Sequence, residues 1–182
     1  MRVAYADPPY LGCAKRLYGG QHPEAAVWDD PQSHIDLVHT LVEEYPDGWA
    51  LSCNPKDLSA LLPVMDDVRV AAWCKSWHQI RPLVSVQYAW EPVILYGGRQ
   101  SSNRVPMIRD WLVCPATKQT GTIGAKPKKF CFWVFELLGL QPGDELVDMF
   151  PGSGAISHAW EAYIMQGRLD MDLVMNPTPY DK

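Results

Sequence analysis

Residues 145–160 read ELVDMFPGSGAISHAW, and this stretch decides the fold. The run from Asp144 to Phe150 reads as a strand, the GSG at 152–154 as a tight turn, and Ile156 to Met165 as a helix. Gly152 and Gly154 let the backbone turn sharply and approach a ligand with no Cβ in the way. The helix that follows presents its first N–H groups to that ligand. Asp148 stands near the strand's carboxyl end, where open α/β sheets bind ligands. A GxG turn also serves as a plain strand-to-helix connection, so a second signal is required.

Working outward, strand and helix signals alternate as in an open α/β sheet. Arg2 to Ala6 is a short β-type run. Asp30 or Ser33 can cap a helix whose apolar face is Ile35, Leu37, Val38, Leu41 and Val42, stopped by Pro46 and Gly48. Trp49 to Cys53 is a second strand, and Lys56 to Met65 a further helix weakened in its last turn by Pro63. Val68 to Trp73 is a third strand. Tyr88 to Tyr96 is a fourth, interrupted by Glu91-Pro92 and ended by Gly97-Gly98. Residues 99 to 125 break the pattern and read as a long loop of the kind that is functional or mobile. Regularity returns with a helix over Phe130 to Leu140. No internal repeat or low-complexity tract is visible.

At 182 residues the chain suits a single domain that buries roughly two thirds of its unfolded surface. No apolar run approaches the ~20 residues of a membrane helix, and MRVAYADPPY lacks the apolar core of a signal peptide. A cytoplasmic protein is therefore expected. Five cysteines without a CxxC spacing argue against a disulfide framework or a zinc knuckle, and the five histidines are too scattered for a ligand cluster, so no metal is expected. The formal net charge of −5 is uneven. Arg99, Arg104, Arg109, Lys118, Lys126, Lys128 and Lys129 face one anion, Asp110, which makes 99–129 a +6 segment in a chain that is otherwise −11. Such a segment can follow a phosphate backbone, or it can be a solvated loop.

The second signal is ADPPYLG at 6–12. Asp7 is a carboxylate at a strand's end, followed by Pro8 and Pro9, which fix φ and donate no N–H. Carboxylate and carbonyls form an array of acceptors suited to an exocyclic amino group, whose two hydrogens need two acceptors. Tyr10 beside them offers a flat face to a base taken out of its stack. Taken alone, DPP reads more readily as a proline-rich turn with a solvent-facing Asp.

Together the two loops resemble one family. DPPY after a strand is similar to the catalytic motif of S-adenosylmethionine-dependent amino-methyltransferases acting on adenine N6 or cytosine N4, and DMFPGSGA resembles that family's cofactor motif. With the catalytic loop first and the cofactor loop last, the order resembles the permuted β class. GAKPKKFCFWVFELLGLQPGD resembles the Lys-Pro segment and helix that precede the cofactor strand, and WCKSWHQIRPLVSVQYAWEPVILYGG the later strands of the catalytic half.

The resemblance implies a Rossmann-like class I methyltransferase fold: a mostly parallel twisted sheet with one antiparallel strand, truncated at the C-terminus, where Asp170 and Asp172 are weak candidates for the ribose-holding acid. It implies a catalytic half at 1–98, a basic loop at 99–125 and a cofactor half at 126–182. In it Asp7 and the Pro8 carbonyl accept from the target amino group, Pro9 shapes the loop and Tyr10 stacks on the base. Asp7, Lys126, Pro127, Asp148, Phe150, Gly152, Ser153 and Gly154 line the S-adenosylmethionine site. Ala155 stands where the family usually has Thr.

The expected reaction is methylation of adenine N6 in DNA, since D-P-P rather than S-P-P favours adenine. Cytosine N4, RNA, a free nucleotide and a non-catalytic partner are the alternatives. The expected partner is double-stranded DNA, held by Arg99, Arg104, Arg109 and Lys118 or read by residues 11–30, with a homodimer as a further expectation.

Overall fold

The structure, a computed structural model, describes residues 1–20, 22–77, 80, 82–100, 108–116 and 125–175, with side chains through 167. Strand β1 (Arg2–Ala6) stops where Pro8 and Pro9 remove two ladder donors, and helix α1 (Ala14–Tyr18) follows. A 3-10 segment, Pro23–Asp29, leads into α2 (Pro31–Glu44). Pro31 sits in the first turn of α2, and the Asp30 carboxylate accepts from the Gln32 backbone N–H at 3.0 Å. After β2 (Gly48–Ser52) come α3 (Leu58–Leu61) and a 3-10 turn (Leu62–Val64). Then follow β3 (Arg69–Lys75), β4 (Trp90–Gly97), β5 (Trp111–Cys114), α4 (Lys128–Leu137), β6 (Glu145–Asp148) and α5 (Ala155–Met175).

The six strands form one sheet in the order β5-β3-β4-β2-β1-β6. β4 runs antiparallel to β2 and β3, and the other pairings are parallel. The carboxyl ends of β1, β2, β3, β5 and β6 and the start of β4 therefore share one edge. Alternation along the strands splits the core in two. Val3, Tyr5, Ala50, Trp73, Val93 and Leu95 face α4 and α5, where Phe130, Val134, Phe135 and Ile156 are buried. Ala4, Ala6, Trp49, Leu51 and Ile94 face α2 and α3, against Leu37, Val38, Leu41 and Leu61. This is the mostly parallel Rossmann-like sheet with one antiparallel strand that the motifs imply. No helix among the described residues is long and apolar enough to cross a membrane.

Several elements differ from expectation, each for a local reason. The helix expected over Lys56–Met65 is four residues of α3 plus the 3-10 turn, because Pro63 lacks the N–H that would continue the helix. β4 is not interrupted at Glu91-Pro92: Pro92 pairs opposite Ala72, and its carbonyl accepts from the Cys53 backbone N–H at 3.3 Å. The long loop expected over 99–125 contains β5, which pairs in parallel with β3 through Ala72–Lys75. α4 begins at Lys128, two residues before the expected start. It ends before Gly139, whose φ of 64° closes the turn. α5 runs past Met165 to Met175, and α1 and the 3-10 segment occupy a stretch without a clear periodic signal.

Candidate active site

At the shared edge, β1 delivers Asp7 immediately beyond the buried Ala6. Lys126 reaches it from the segment before α4, with Nζ 3.0 Å from Asp7 Oδ1. The same ammonium lies 3.2 Å from Glu91 Oε2 and donates to the Tyr10 hydroxyl at 3.1 Å. Tyr10 Oη lies 3.1 Å from Glu91 Oε2 and 3.3 Å from Asp7 Oδ1. A phenol has one proton, so it donates to one carboxylate at a time, and the shorter contact is to Glu91. Lys75, at the end of β3, pairs with Glu91 Oε1. The rings of Tyr10, Trp73 and Phe130 each lie 5.6 Å from Lys126 Nζ and roof it against water.

The cluster is charge-neutral, with two carboxylates, two ammonium groups and a hydroxyl. Burial opposes ionisation of Glu91, but the charges of Lys126 and Lys75 outweigh it and hold its carboxyl at about 2 against an ordinary 4.5. Burial pushes Asp7 the other way, above its ordinary value; Lys126 opposes that rise and the Glu91 charge adds to it. Burial disfavours the Lys126 ammonium, yet Asp7 and Glu91 together carry its pKa upward. The Tyr10 hydroxyl is held well above its usual range by burial and by both carboxylates. Burial also pushes the neighbouring Cys131 thiol up to about 12 and raises Cys53, so both stay neutral.

The glycine turn stands beside this cluster. β6 pairs with β1 so that Asp148 is opposite Tyr5, two residues before Asp7. Asp148 Oδ1 accepts from the Phe150 backbone N–H at 3.2 Å, whereas Oδ2 is buried with no hydrogen-bond partner. Burial raises the Asp148 pKa, and the Asp7 charge acts in the same sense against the Phe150 N–H. Gly152 and Gly154 have φ of 44° and 73°, and a Cβ at 154 would stand 3.2 Å from His158 Cε1. Ser153 is half-buried beside them, and the Phe150 ring meets Trp28 edge-on at 5.0 Å. Pro127 caps α4 and accepts from the Phe130 backbone N–H at 2.9 Å.

Asp7, Pro8, Pro9, Tyr10, Lys126 and Pro127 thus converge, with Asp148, Phe150, Gly152, Ser153 and Gly154 on the next strand's loop. Two cations expected to bind nucleic acid lie elsewhere. Arg99 follows β4 and is at the opposite edge, where Nη2 is 2.9 Å from both oxygens of Asp144 and Nε donates to the Gly139 carbonyl. Arg109 precedes β5 at that same opposite edge, its guanidinium 5.2 Å from the Trp111 ring centre and its carbonyl accepting from Trp133 Nε1. Arg104 and Lys118 fall outside the described residues. Sequence reasoning missed Glu91 and Lys75. The available signal was a carboxylate inside an apolar strand run, which is costly unless it is paired.

No protein-family model matches the sequence, and no curated protein matches it significantly. Solved structures do match in three dimensions. M1.HpyAVI, crystallised with S-adenosylmethionine, superposes with a TM-score of 0.56 at 15% identity, covering 89% of this chain and 78% of that one. A Thermus thermophilus protein assigned as a DNA modification methylase, crystallised with S-adenosyl-L-methionine, gives 0.52 at 14% identity over 88% and 77%. At such identities the likeness is one of architecture: the chain has the Rossmann-like α/β methyltransferase fold on which these proteins are built.

Proposed function

We propose that this chain is an S-adenosylmethionine-dependent methyltransferase of the permuted β class that methylates DNA at the exocyclic N6 of adenine. The observation that carries the reading is the pairing of β1 with β6. It sets an acceptor cradle, Asp7-Pro8-Pro9-Tyr10, beside a glycine turn whose Asp148 keeps one buried oxygen without a donor. That oxygen fits a ligand bearing hydroxyl or ammonium groups, and the left-handed glycines leave room for the ligand to approach the backbone.

In this reading Asp148, Phe150, Gly152, Ser153 and Gly154 hold the cofactor, closed in by Asp7, Lys126 and Pro127. Bound there, S-adenosylmethionine supplies an electrophilic methyl group on a sulfonium. The chain's own part is orientation and electrostatics. Asp7 and the Pro8 carbonyl accept the two amino hydrogens, which favours the pyramidal, more nucleophilic nitrogen. Tyr10 stacks on the base, and Pro9 fixes the loop. About a fifth of the Asp7 side chain is exposed, and the contacts from Lys126 and Tyr10 both fall on Oδ1.

The test is transfer of radiolabelled methyl from S-adenosylmethionine to unmethylated duplex DNA, followed by nucleoside analysis. Label is expected in N6-methyladenine, and Asp7→Ala is expected to cut the rate by at least about 100-fold, the loss typical when one oriented polar group is removed. Cofactor binding without transfer to DNA overturns the DNA assignment in favour of RNA or a nucleotide. Label in N4-methylcytosine overturns the choice of base.

A further inference from the structure

The connection from β3 to β4 starts and ends at the same edge as the cradle, and its described residues are 76, 77, 80 and 82–89. Three of its described apolar side chains are largely exposed: Ile80 is 74% exposed, Leu83 106% and Val86 83%. Single exposed apolar residues are ordinary, but three within the seven positions 80–86 are of the kind that marks an interaction surface. Leu83 also has a φ of 67°, a region that a bulky non-glycine residue rarely occupies. The segment's two roots are built into the candidate site. Lys75 donates its backbone N–H to Ala89 and its side chain pairs with Glu91, the carboxylate that also receives Tyr10 and Lys126. Residues 76–90 contain no Asp or Glu to repel phosphates.

We propose that residues 82–89 are the element with which this chain opens a nucleic acid duplex, Leu83 and Val86 entering the stack beside the target base. The inference rests on the methyltransferase reading above. A base inside a duplex cannot reach a cradle built at the end of a strand, so it must be extruded. Apolar wedges that fill or unstack a base step are the recurrent means of stabilising the distorted duplex. A loop rooted on Glu91, which bonds the Tyr10 hydroxyl, is placed to enter the stack as the base arrives at Tyr10. A protein partner would use the patch as well, but it would give no reason for the patch to be rooted in the cradle.

The experiment compares methyl transfer to duplex and to single-stranded DNA of the same sequence, for the parent, a Leu83→Asn/Val86→Ser double variant and Leu83→Met. Asn tolerates the left-handed backbone and both side chains are exposed, so thermal unfolding should be unchanged. Transfer to the duplex should fall at least about tenfold in the double variant, transfer to single strands should stay within about threefold, and Leu83→Met should retain duplex activity. Equal losses on both substrates, no loss on either, or a parent active on single strands alone overturn the wedge. A parent that binds S-adenosylmethionine but transfers methyl to neither form overturns the DNA assignment, and one that neither binds the cofactor nor transfers methyl overturns the methyltransferase reading itself.

Discussion

Replacing Glu91 with Gln keeps the side chain's shape and removes the charge on which Lys75, Lys126 and Tyr10 converge. The carboxyl's fall from 4.5 to about 2 is more than two pKa units. At about 1.4 kcal/mol per unit, that contributes about 3 kcal/mol of stability near pH 7. Only 16% of the side chain is exposed, so solvent screening removes little of it, and breaking a buried ion pair by deleting one partner typically costs about 3–5 kcal/mol. Relief of Asp7 from the Glu91 charge offsets part, so a net loss of about 2–3 kcal/mol is expected. The pH dependence has a definite sign. A carboxyl depressed in the folded state contributes fully above its ordinary value of 4.5 and loses that contribution as the pH falls toward about 2. The gap between parent and Glu91→Gln should therefore shrink to about 1 kcal/mol near pH 3. Urea unfolding at both pH values measures it. A gap below about 0.5 kcal/mol near pH 7, or one that does not shrink in acid, would refute the argument that this carboxylate is held ionised by two lysines.

Two further substitutions probe the scaffold. Gly98 has a φ of 86°, and a Cβ there would lie 2.9 Å from the Leu138 carbonyl oxygen, so Gly98→Ala should cost at least about 2 kcal/mol in urea unfolding. Gly20→Ala, where a Cβ meets nothing within 4 Å, should stay within about 0.5 kcal/mol; equal effects at the two sites would contradict the packing at 98. Tyr5 and Ser52 share a buried 2.8 Å hydrogen bond across β1 and β2, so Tyr5→Phe strands the Ser52 hydroxyl and should cost about 1–3 kcal/mol. Adding Ser52→Ala should recover part of that loss, and strict additivity of the two would show that the bond carries no coupling.

Much of this architecture was legible because its signals are local. The short β-type run of Arg2–Ala6, the apolar stripe of α2 and the strand-turn-glycine pattern at 145–154 are each read within a few consecutive residues. The same is true of the two site loops, whose Pro-Pro and Gly-x-Gly spacings declare backbone conformation directly. What was missed depends on distant neighbours. β5 is a four-residue strand with exposed Trp111 and Val113, and it becomes a strand only because the edge of β3 is free to pair with it. The +6 segment could not be placed because charge in a sequence has no direction: the strand order sends Arg99 to Asp144 and Arg109 over Trp111, at the far edge of the sheet, and Lys126 of the same segment to Asp7. Glu91 looked like a strand breaker for the same reason, since its partners Lys75, Lys126 and Tyr10 are 16, 35 and 81 residues away.

Under the proposed reading, the neutral cluster also addresses a problem that the DPPY motif poses. A buried carboxylate facing a neutral amino group is poorly solvated, and burial already raises the Asp7 pKa. A protonated Asp7 would lose acceptor capacity at the oxygen carrying the proton. Lys126 counters this by holding positive charge 3.0 Å from Oδ1. It needs Glu91 in turn, because a lysine shared between two carboxylates keeps its own charge when an arriving base disturbs the contact with Asp7. Lys75 completes the balance so that Glu91 is not itself left in excess. The arrangement lets Asp7 remain an ionised acceptor in a site dry enough to bind a base. It also accounts for a charged residue near the start of an otherwise apolar strand.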